Sequence, residues 1–181
     1  MKRSTKFFSI IGSITLVLFG AGMALSPAAQ AAAESVCAAP GNSYCWSQPD
    51  TGNPIVLTDT TNIASFTPES CEENSFVGTE TCQLVAVDGA CVRAQDSTSK
   101  PILLDGCGGS TEYSEYWFRV IGCNGYYYWA NAGATMYFDD GNTFVADAAS
   151  QTQGENIYIQ PVDDFAKDCT EGSPVNQWIW G

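Results

Sequence analysis

The chain has no histidine and few basic side chains. Its 181 residues include 7 lysines and arginines against 20 aspartates and glutamates. Without histidine, Ser-His-Asp and Cys-His catalysis and histidine-based metal sites are excluded. The surplus of acidic charge repels nucleic acid and anionic membrane surfaces. We therefore expect no nucleic-acid partner and no membrane partner.

Zinc-type cysteine spacing and long helical patterns are missing as well. No Cys-x-x-Cys pair occurs, so neither a metal nor any other cofactor is expected. Apolar runs after residue 40 are short, rich in Val, Ile, Tyr, Phe and Trp, and separated by Gly, Pro, Asn and Asp. This pattern is typical of strands and turns, and no helical period of ten residues or more accompanies it. The sequence therefore predicts an all-β fold.

The N-terminus has the features of an export signal. Lys2 and Arg3 precede an apolar run over residues 7–19, and Ala29-Gln30-Ala31 provides a small-x-small cleavage site. We expect residues 1–31 to be a signal peptide that is removed on secretion. Nothing after residue 31 is hydrophobic for long enough to anchor the protein in a membrane.

The remaining residues, 32–181, are predicted to form a single secreted domain, which we expect to be a monomer. Four basic and 20 acidic side chains remain in it, a formal charge of −16. All eight cysteines also lie in this part of the chain. Outside the cell thiols are oxidised, so we expect four disulfides and no free thiol. Eight cysteines permit 105 pairings, which the sequence alone does not resolve.

An internal repeat organises this domain. In the first two copies, a strand-like segment is followed seven residues later by an apolar triplet, and a third copy is looser. The copies are Asn42–Gln48 with Ile55–Leu57, Gly89–Gln95 with Ile102–Leu104, and Gly125–Asn131 with Met136–Phe138. They predict three units, about residues 40–82, 83–122 and 123–181. Equivalent places are expected for Gln48, Gln95 and Asn131, and likewise for Ile55, Ile102 and Met136. Three such units are typical of a β-trefoil, and a disulfide-stapled β-sandwich is the alternative.

Over Gly89–Val120 the chain resembles the ricin-type β-trefoil lectin family. A cysteine (Cys91), an apolar strand, a second cysteine (Cys107) and Trp117 follow one another in the order of the family's motif. The resemblance implies a β-trefoil fold and a sugar ligand. The chain departs from the motif at Arg93, where the family has a sugar-binding acidic residue. It also departs at Glu115 and Asn176, where the family has glutamine.

The disulfide pairs are predicted on three different grounds. The resemblance implies a bridge within a repeat between Cys91 and Cys107. An 11-residue step suits a hairpin closed by Cys71 and Cys82. The remaining pairs, Cys37 with Cys45 and Cys123 with Cys169, follow by elimination.

Aromatic side chains are the candidates for ligand contact. Trp46 lies two residues before Gln48, and Trp129 lies two before Asn131, so each ring shares a strand face with an amide. Such a pair offers a ring to stack on a sugar and an amide for its hydroxyls. With Tyr128 added, these five residues are the predicted binding site. The alternative is that the same aromatics fill the core. Replacing Trp129 by Ala is expected to abolish binding while leaving the disulfide-stapled fold intact. If the domain unfolds instead, Trp129 is a core residue.

The predicted function is that of a secreted, non-catalytic binding module whose ligand is a glycan. The alternative is a secreted protein-interaction domain or enzyme inhibitor that presents a rigid loop between Phe66 and Cys82. No catalytic residue is assigned. A carboxylate-based hydrolase stays open, with Glu72-Glu73, Asp139-Asp140 and Asp163-Asp164 as its carboxylate pairs.

Overall fold

A computed structural model describes residues 32–39, 41, 43–59, 61–108, 113–122, 125–138, 141–165 and 176–180. The predicted signal peptide, Cys123 and Cys169 lie outside these residues. Short β-strands dominate the described chain. The strands are β1 (Val36–Ala38), β2 (Cys45–Trp46), β3 (Asn53–Pro54), β4 (Leu57–Thr58), β5 (Phe66–Asn74), β6 (Thr79–Ala86), β7 (Ala90–Arg93), β8 (Leu103–Gly106), β9 (Tyr116–Ile121), β10 (Tyr127–Asn131), β11 (Thr143–Ala148), β12 (Ile157–Val162) and β13 (Trp178–Trp180). A 3₁₀ helix, Tyr113–Glu115, and one α-helix, α1 (Ala132–Phe138), complete them.

Six of the strands close a barrel. Antiparallel pairing runs from β5 to β6, β9, β10, β13 and β1 in turn. A bridge between Glu34 and Phe66 joins the segment of β1 back to β5 and completes the ring. Closure leaves few strand edges open to other chains, which suits a small β domain.

Three hairpins, β2–β4, β7–β8 and β11–β12, cap one end of this barrel. They meet in a cyclic set of backbone hydrogen bonds among three fully buried isoleucines. Ile55 donates to Ile102 (3.0 Å), Ile102 to Ile157 (2.7 Å), and Ile157 to Ile55 (3.4 Å). The three hairpins are therefore related by an approximate threefold axis, as in a β-trefoil.

The threefold arrangement shows that the third copy of the repeat was predicted at the wrong residues. Ile55 and Ile102 are equivalent, as expected, but Ile157 takes the third place, and Met136 lies in α1. The third cap hairpin begins in β11, so Asn131, at the end of barrel strand β10, is not equivalent to Gln95. The repeat pattern matched β10 instead of β11, one strand too early. The reason is that β11 has Val145 at the position where the first two hairpins have Cys45 and Cys91.

Each third of the structure contributes two barrel strands and one cap hairpin. These thirds are Val36–Asn74, Thr79–Ile121 and Tyr127–Trp180. The first includes β1, which lies before the start at residue 40 that the repeat suggested. We propose these limits for the three units.

The barrel core is centred on the indole of Trp46. Its ring makes edge contacts with those of Phe66 (5.9 Å), Trp117 (6.3 Å) and Trp178 (5.4 Å). Trp117 and Trp178 each donate the indole N–H to a carbonyl of a cap hairpin, that of Val92 (2.8 Å) and that of Ala146 (3.0 Å). In the ladders, Trp46 faces Leu57, Val92 faces Leu104, and Ala146 faces Ile159. Val92 and Ala146 occupy the positions equivalent to Trp46 in the other two hairpins. Both side chains are smaller than an indole, so a single large ring fills the centre of the core.

Three disulfides fasten the described chain, and they pair the cysteines that the sequence analysis had paired. Cys37–Cys45 joins β1 to β2, Cys71–Cys82 crosses the β5–β6 hairpin, and Cys91–Cys107 joins β7 to the residue after β8. Within the described ranges, no helix is long and apolar enough to cross a membrane.

Candidate functional site

The structure buries most of the residues predicted to form an aromatic sugar site. Trp46, Tyr128 and Asn131 are fully buried and Trp129 is 2% exposed, while Gln48 is half-buried. The expectation of exposed ring faces at these positions is therefore wrong. The reason is that Trp46, in β2, lies at the centre of the barrel core, and that β10 packs against an apolar cluster on each of its faces.

The two faces of β10 meet different apolar clusters. Trp129 points into the barrel, where its ring lies 4.9 Å from that of Trp180. Tyr128 points outward and packs against Phe165 at 4.9 Å, within a second cluster that includes Val145 and Val162. Neither ring is free to stack on a sugar.

The side chain of Asn131 holds three segments together through its hydrogen bonds. Its Nδ2 donates to the Ser114 carbonyl at 2.8 Å and, at 3.4 Å, to that of Tyr116. Its Oδ1 accepts the backbone N–H of Ala134 at 2.8 Å and so caps the N-terminus of α1. This amide fixes α1 against the 3₁₀ helix, and both elements line a pocket.

That pocket has a volume of about 520 Å³ and lies between the second cap hairpin and α1. Its volume is in the range of small-molecule sites. It is lined by Arg93, Ala94, Gln95, Asp96, Leu103, Asp105, Ser114, Asn131, Gly133, Ala134, Tyr137 and Phe138. We refer to it as the hairpin pocket.

An ion pair stands on the hairpin side of this pocket. The Arg93 guanidinium donates to Oδ2 of Asp105 at 3.1 Å, and both side chains are about one-third exposed. Oδ1 of Asp105 accepts the backbone N–H of Gly106 at 2.8 Å. The pair offers an incoming polar ligand both a cationic donor and an anionic acceptor, held in place by the β7–β8 ladder.

The loop between β7 and β8 supplies the remaining polar groups. Gln95 donates its amide N–H to the Pro101 carbonyl at 2.6 Å, and its amide oxygen has no donor among the described residues. Lys100 donates to Asp96 at 2.8 Å. This hydrogen bond and the ammonium charge lower the pKa of the Asp96 carboxyl below its usual 3.8. Asp96 therefore remains an acceptor in mildly acid surroundings.

Tyr137 provides the exposed ring of the pocket. It is 72% exposed at the end of α1, and its ring lies 5.2 Å from that of Phe138. Phe138 in turn packs against Phe144 of β11 at 4.6 Å. Tyr137 was not among the predicted site residues, because the repeat pattern placed it in the apolar triplet Met136–Phe138 and gave no indication of a helix there. Asn131, a residue preferred at helix N-caps, was the available signal for a helix that starts at Ala132.

The carboxylate pairs considered for hydrolysis do not form a working arrangement in the described chain. Glu72 and Glu73 are neighbours in a strand and point to opposite faces. Asp163 and Asp164 are both exposed, and Asp139-Asp140 lies outside the described residues. Cys71, Glu80 and Cys82 come close enough together to suggest a metal site, but the two cysteines are bonded to each other.

A buried acidic side chain, Glu115, follows Ser114, which lines the pocket. Glu115 is fully buried, and its Oε2 accepts the Gln83 amide at 3.0 Å and the Gly108 backbone N–H at 2.7 Å. Its Oε1 is buried without a donor among the described residues. This is the residue that stands where the ricin-type motif has glutamine.

Replacing Glu115 by Gln is expected to stabilise the protein by about 1 kcal/mol, a rise of about 2–4 °C in Tm. The amide oxygen can keep both acceptor bonds, while the cost of burying a charged group disappears. Thermal unfolding at neutral pH measures the effect, with exposed Glu80→Gln as the control. A lower Tm for Glu115→Gln would contradict this expectation, and it would follow if Oε1 has a donor such as a bound water or if the new amide N–H groups find no acceptor.

Comparison with known proteins identifies the fold. No protein-family model and no curated protein matches the chain. Among solved structures, a BEL β-trefoil shares 9% identity at a TM-score of 0.54, covering 83% of this chain and 92% of its own. A Polyporus squamosus lectin, bound to Neu5Aca2-6Galb1-4GlcNAc, shares 7% at a TM-score of 0.53, with 83% and 49% covered. A mosquitocidal holotoxin shares 12% identity at a TM-score of 0.58. The match covers 83% of this chain but only 17% of the holotoxin. The predicted β-trefoil is confirmed.

Proposed function

We propose that this chain is a secreted carbohydrate-binding domain that holds a sugar in the hairpin pocket. The observation that carries the proposal is the pocket itself, in which the Arg93–Asp105 pair faces the exposed ring of Tyr137. The similarity to a β-trefoil lectin supports the same ligand class. Three disulfides fit an oxidising compartment outside the cell.

The polar groups of the pocket suit a neutral sugar. Adjacent hydroxyls can donate to Asp105 and accept from Arg93, and charge-assisted hydrogen bonds of this kind are the strong ones. The amide oxygen of Gln95, which accepts no hydrogen bond from the described residues, is a further acceptor. The apolar C–H face of a pyranose would stack on Tyr137. Asp105, across the ladder, thus supplies the acidic group that is missing at position 93.

Replacing Tyr137 by Ala is expected to weaken glycan binding about tenfold, the equivalent of about 1.4 kcal/mol. Because the ring is largely exposed, the Tm should change little. A glycan array on the refolded domain identifies a ligand, and titration calorimetry with that ligand measures the change. Tyr137→Phe keeps the ring and should retain binding.

A matched control is Phe76→Ala, which removes another exposed aromatic ring outside the pocket. Equal loss in both variants would show that the effect does not come from the hairpin pocket. A domain that binds no glycan on the array would argue against the proposed function as a whole.

A second function is favoured by the β5–β6 hairpin. It is the rigid loop that a protein-interaction domain would present: Cys71–Cys82 clamps it, and Phe76 is 51% exposed at its turn. Asn74 Oδ1 fixes that turn by accepting the backbone N–H of Phe76 at 3.0 Å. An inhibitor of secreted hydrolases would dock through this turn. Inhibition of a panel of such enzymes, lost in Phe76→Ala and retained in Tyr137→Ala, would support this function over sugar binding.

A further inference from the structure

At the end of the barrel opposite the cap, the guanidinium of Arg119 packs on two aromatic rings. Strand β9 leaves the cap at Trp117, whose indole is bonded to a cap hairpin, and continues through Arg119 to Ile121. Arg119 is exposed, and Ile121 is 78% exposed. Across the ladder, Arg119 faces Trp129, and Ile121 faces Tyr127. We call this end the barrel mouth and define it by Arg119, Ile121, Tyr127 and Trp180.

Arg119 differs from the other basic side chains that the structure describes. Arg93 and Lys100 are each paired with a carboxylate. The Arg119 guanidinium has no carboxylate partner among the described residues, although the chain contains 20 acidic side chains. The Cζ atom of Arg119 lies instead 5.2 Å from the ring centre of Tyr127 and 5.8 Å from that of Trp129. The rings hold the charge in place without neutralising it.

In the described chain, the barrel mouth also contains hydrogen-bond donors without acceptors. A guanidinium carries five N–H donors and no acceptor. Trp129, on which the guanidinium rests, is buried, and its indole N–H has no acceptor in the described chain. Around these donors lie apolar surfaces, namely the half-buried rings of Tyr127 and Trp180 and the exposed side chain of Ile121. The complement of such a surface is a ligand with an anionic acceptor and an apolar face.

We propose that the barrel mouth is a second binding site, for a sugar that carries a carboxylate, such as a uronic acid. The planar carboxylate matches the fork of the Arg119 guanidinium and can take two of its N–H groups. The C–H face of the pyranose then rests against Tyr127 and Ile121. None of the residues that define the mouth lines the hairpin pocket, so this site does not depend on the function proposed for the pocket.

The indole N–H signals of the refolded domain in ¹⁵N NMR spectra test this proposal. Glucuronate is the probe, and glucose and acetate at the same concentration are its matched controls. We expect glucuronate to shift the signals of Trp129 and Trp180, while glucose and acetate shift them at least tenfold less. Trp117 and Trp178, which are bonded to the cap, report whether the fold is intact.

Arg119→Gln should reduce the affinity for glucuronate at least tenfold while the Trp117 and Trp178 signals stay in place. Arg119→Lys keeps the charge without the fork and should bind with intermediate affinity. Tyr137→Ala, in the hairpin pocket, should bind glucuronate like the unaltered protein. The proposal is overturned if acetate acts as strongly as glucuronate, if Arg119→Gln binds unchanged, or if Tyr137→Ala removes the effect.

Discussion

Replacing Trp46 by Ala is expected to lower the free energy of unfolding by about 3–5 kcal/mol, a large part of the roughly 5–15 kcal/mol that stabilises an ordinary domain. The indole is fully buried on the threefold axis, in edge contact with Phe66, Trp117 and Trp178. Its removal leaves a cavity that three rings held by separate strands cannot fill. Denaturant unfolding followed by tryptophan fluorescence and far-UV circular dichroism measures the loss.

Two further variants serve as references for the loss of stability in Trp46→Ala. Trp46→Phe keeps an aromatic ring and also removes an indole N–H that has no acceptor in the described chain, so it should cost less than Trp46→Ala. Tyr137→Ala removes an exposed ring and should change stability by no more than about 0.5 kcal/mol. If Trp46→Ala were as mild as Tyr137→Ala, Trp46 would not be a core residue, and the original assignment to a binding site would regain support.

Replacing Asn131 by Ala is expected to destabilise the domain by about 2–4 kcal/mol, through the lost helix cap and the loss of partners for buried backbone groups. The amide bonds the Ser114 carbonyl and the Ala134 N–H at 2.8 Å each. Without it, α1 is no longer fixed to the 3₁₀ helix, so the hairpin pocket should loosen as well. Thermal unfolding measures the first effect, and the affinity for a glycan found on the array measures the second.

Asn131→Asp separates the two roles of the side chain. A carboxylate can still cap α1, but it cannot donate to the Ser114 carbonyl. We therefore expect a smaller loss of stability than in Asn131→Ala. If Asn131→Ala abolished sugar binding at an unchanged Tm, Asn131 would be a ligand contact, as the sequence pattern had suggested, and its structural role would be refuted.

The strand content, the Cys71–Cys82 disulfide and part of the repeat could be predicted because each depends on local spacing. The Cys91–Cys107 pair was implied by the resemblance to the lectin family, and the Cys37–Cys45 pair followed by elimination. The short apolar runs between Gly, Pro, Asn and Asp correspond to short strands, and an 11-residue step did correspond to a hairpin closed by Cys71 and Cys82. Ile55 and Ile102 occupy equivalent places because both hairpins carry the same sequence landmarks, a cysteine in the first strand and a proline before the isoleucine. Arg93, singled out as a departure from the lectin motif, does line the pocket.

The tertiary structure alone decided which aromatics are buried and where a ligand could bind. Alternation along a strand shows that Trp129 and Asn131 share a face, but not whether that face meets solvent or the inside of a closed barrel. Likewise, the seven-residue helix α1 is too short to leave a clear period in the sequence, yet it carries the exposed ring of Tyr137 to the pocket. Barrel closure and the docking of α1 join segments far apart in the chain, and local pattern contains no information on such contacts.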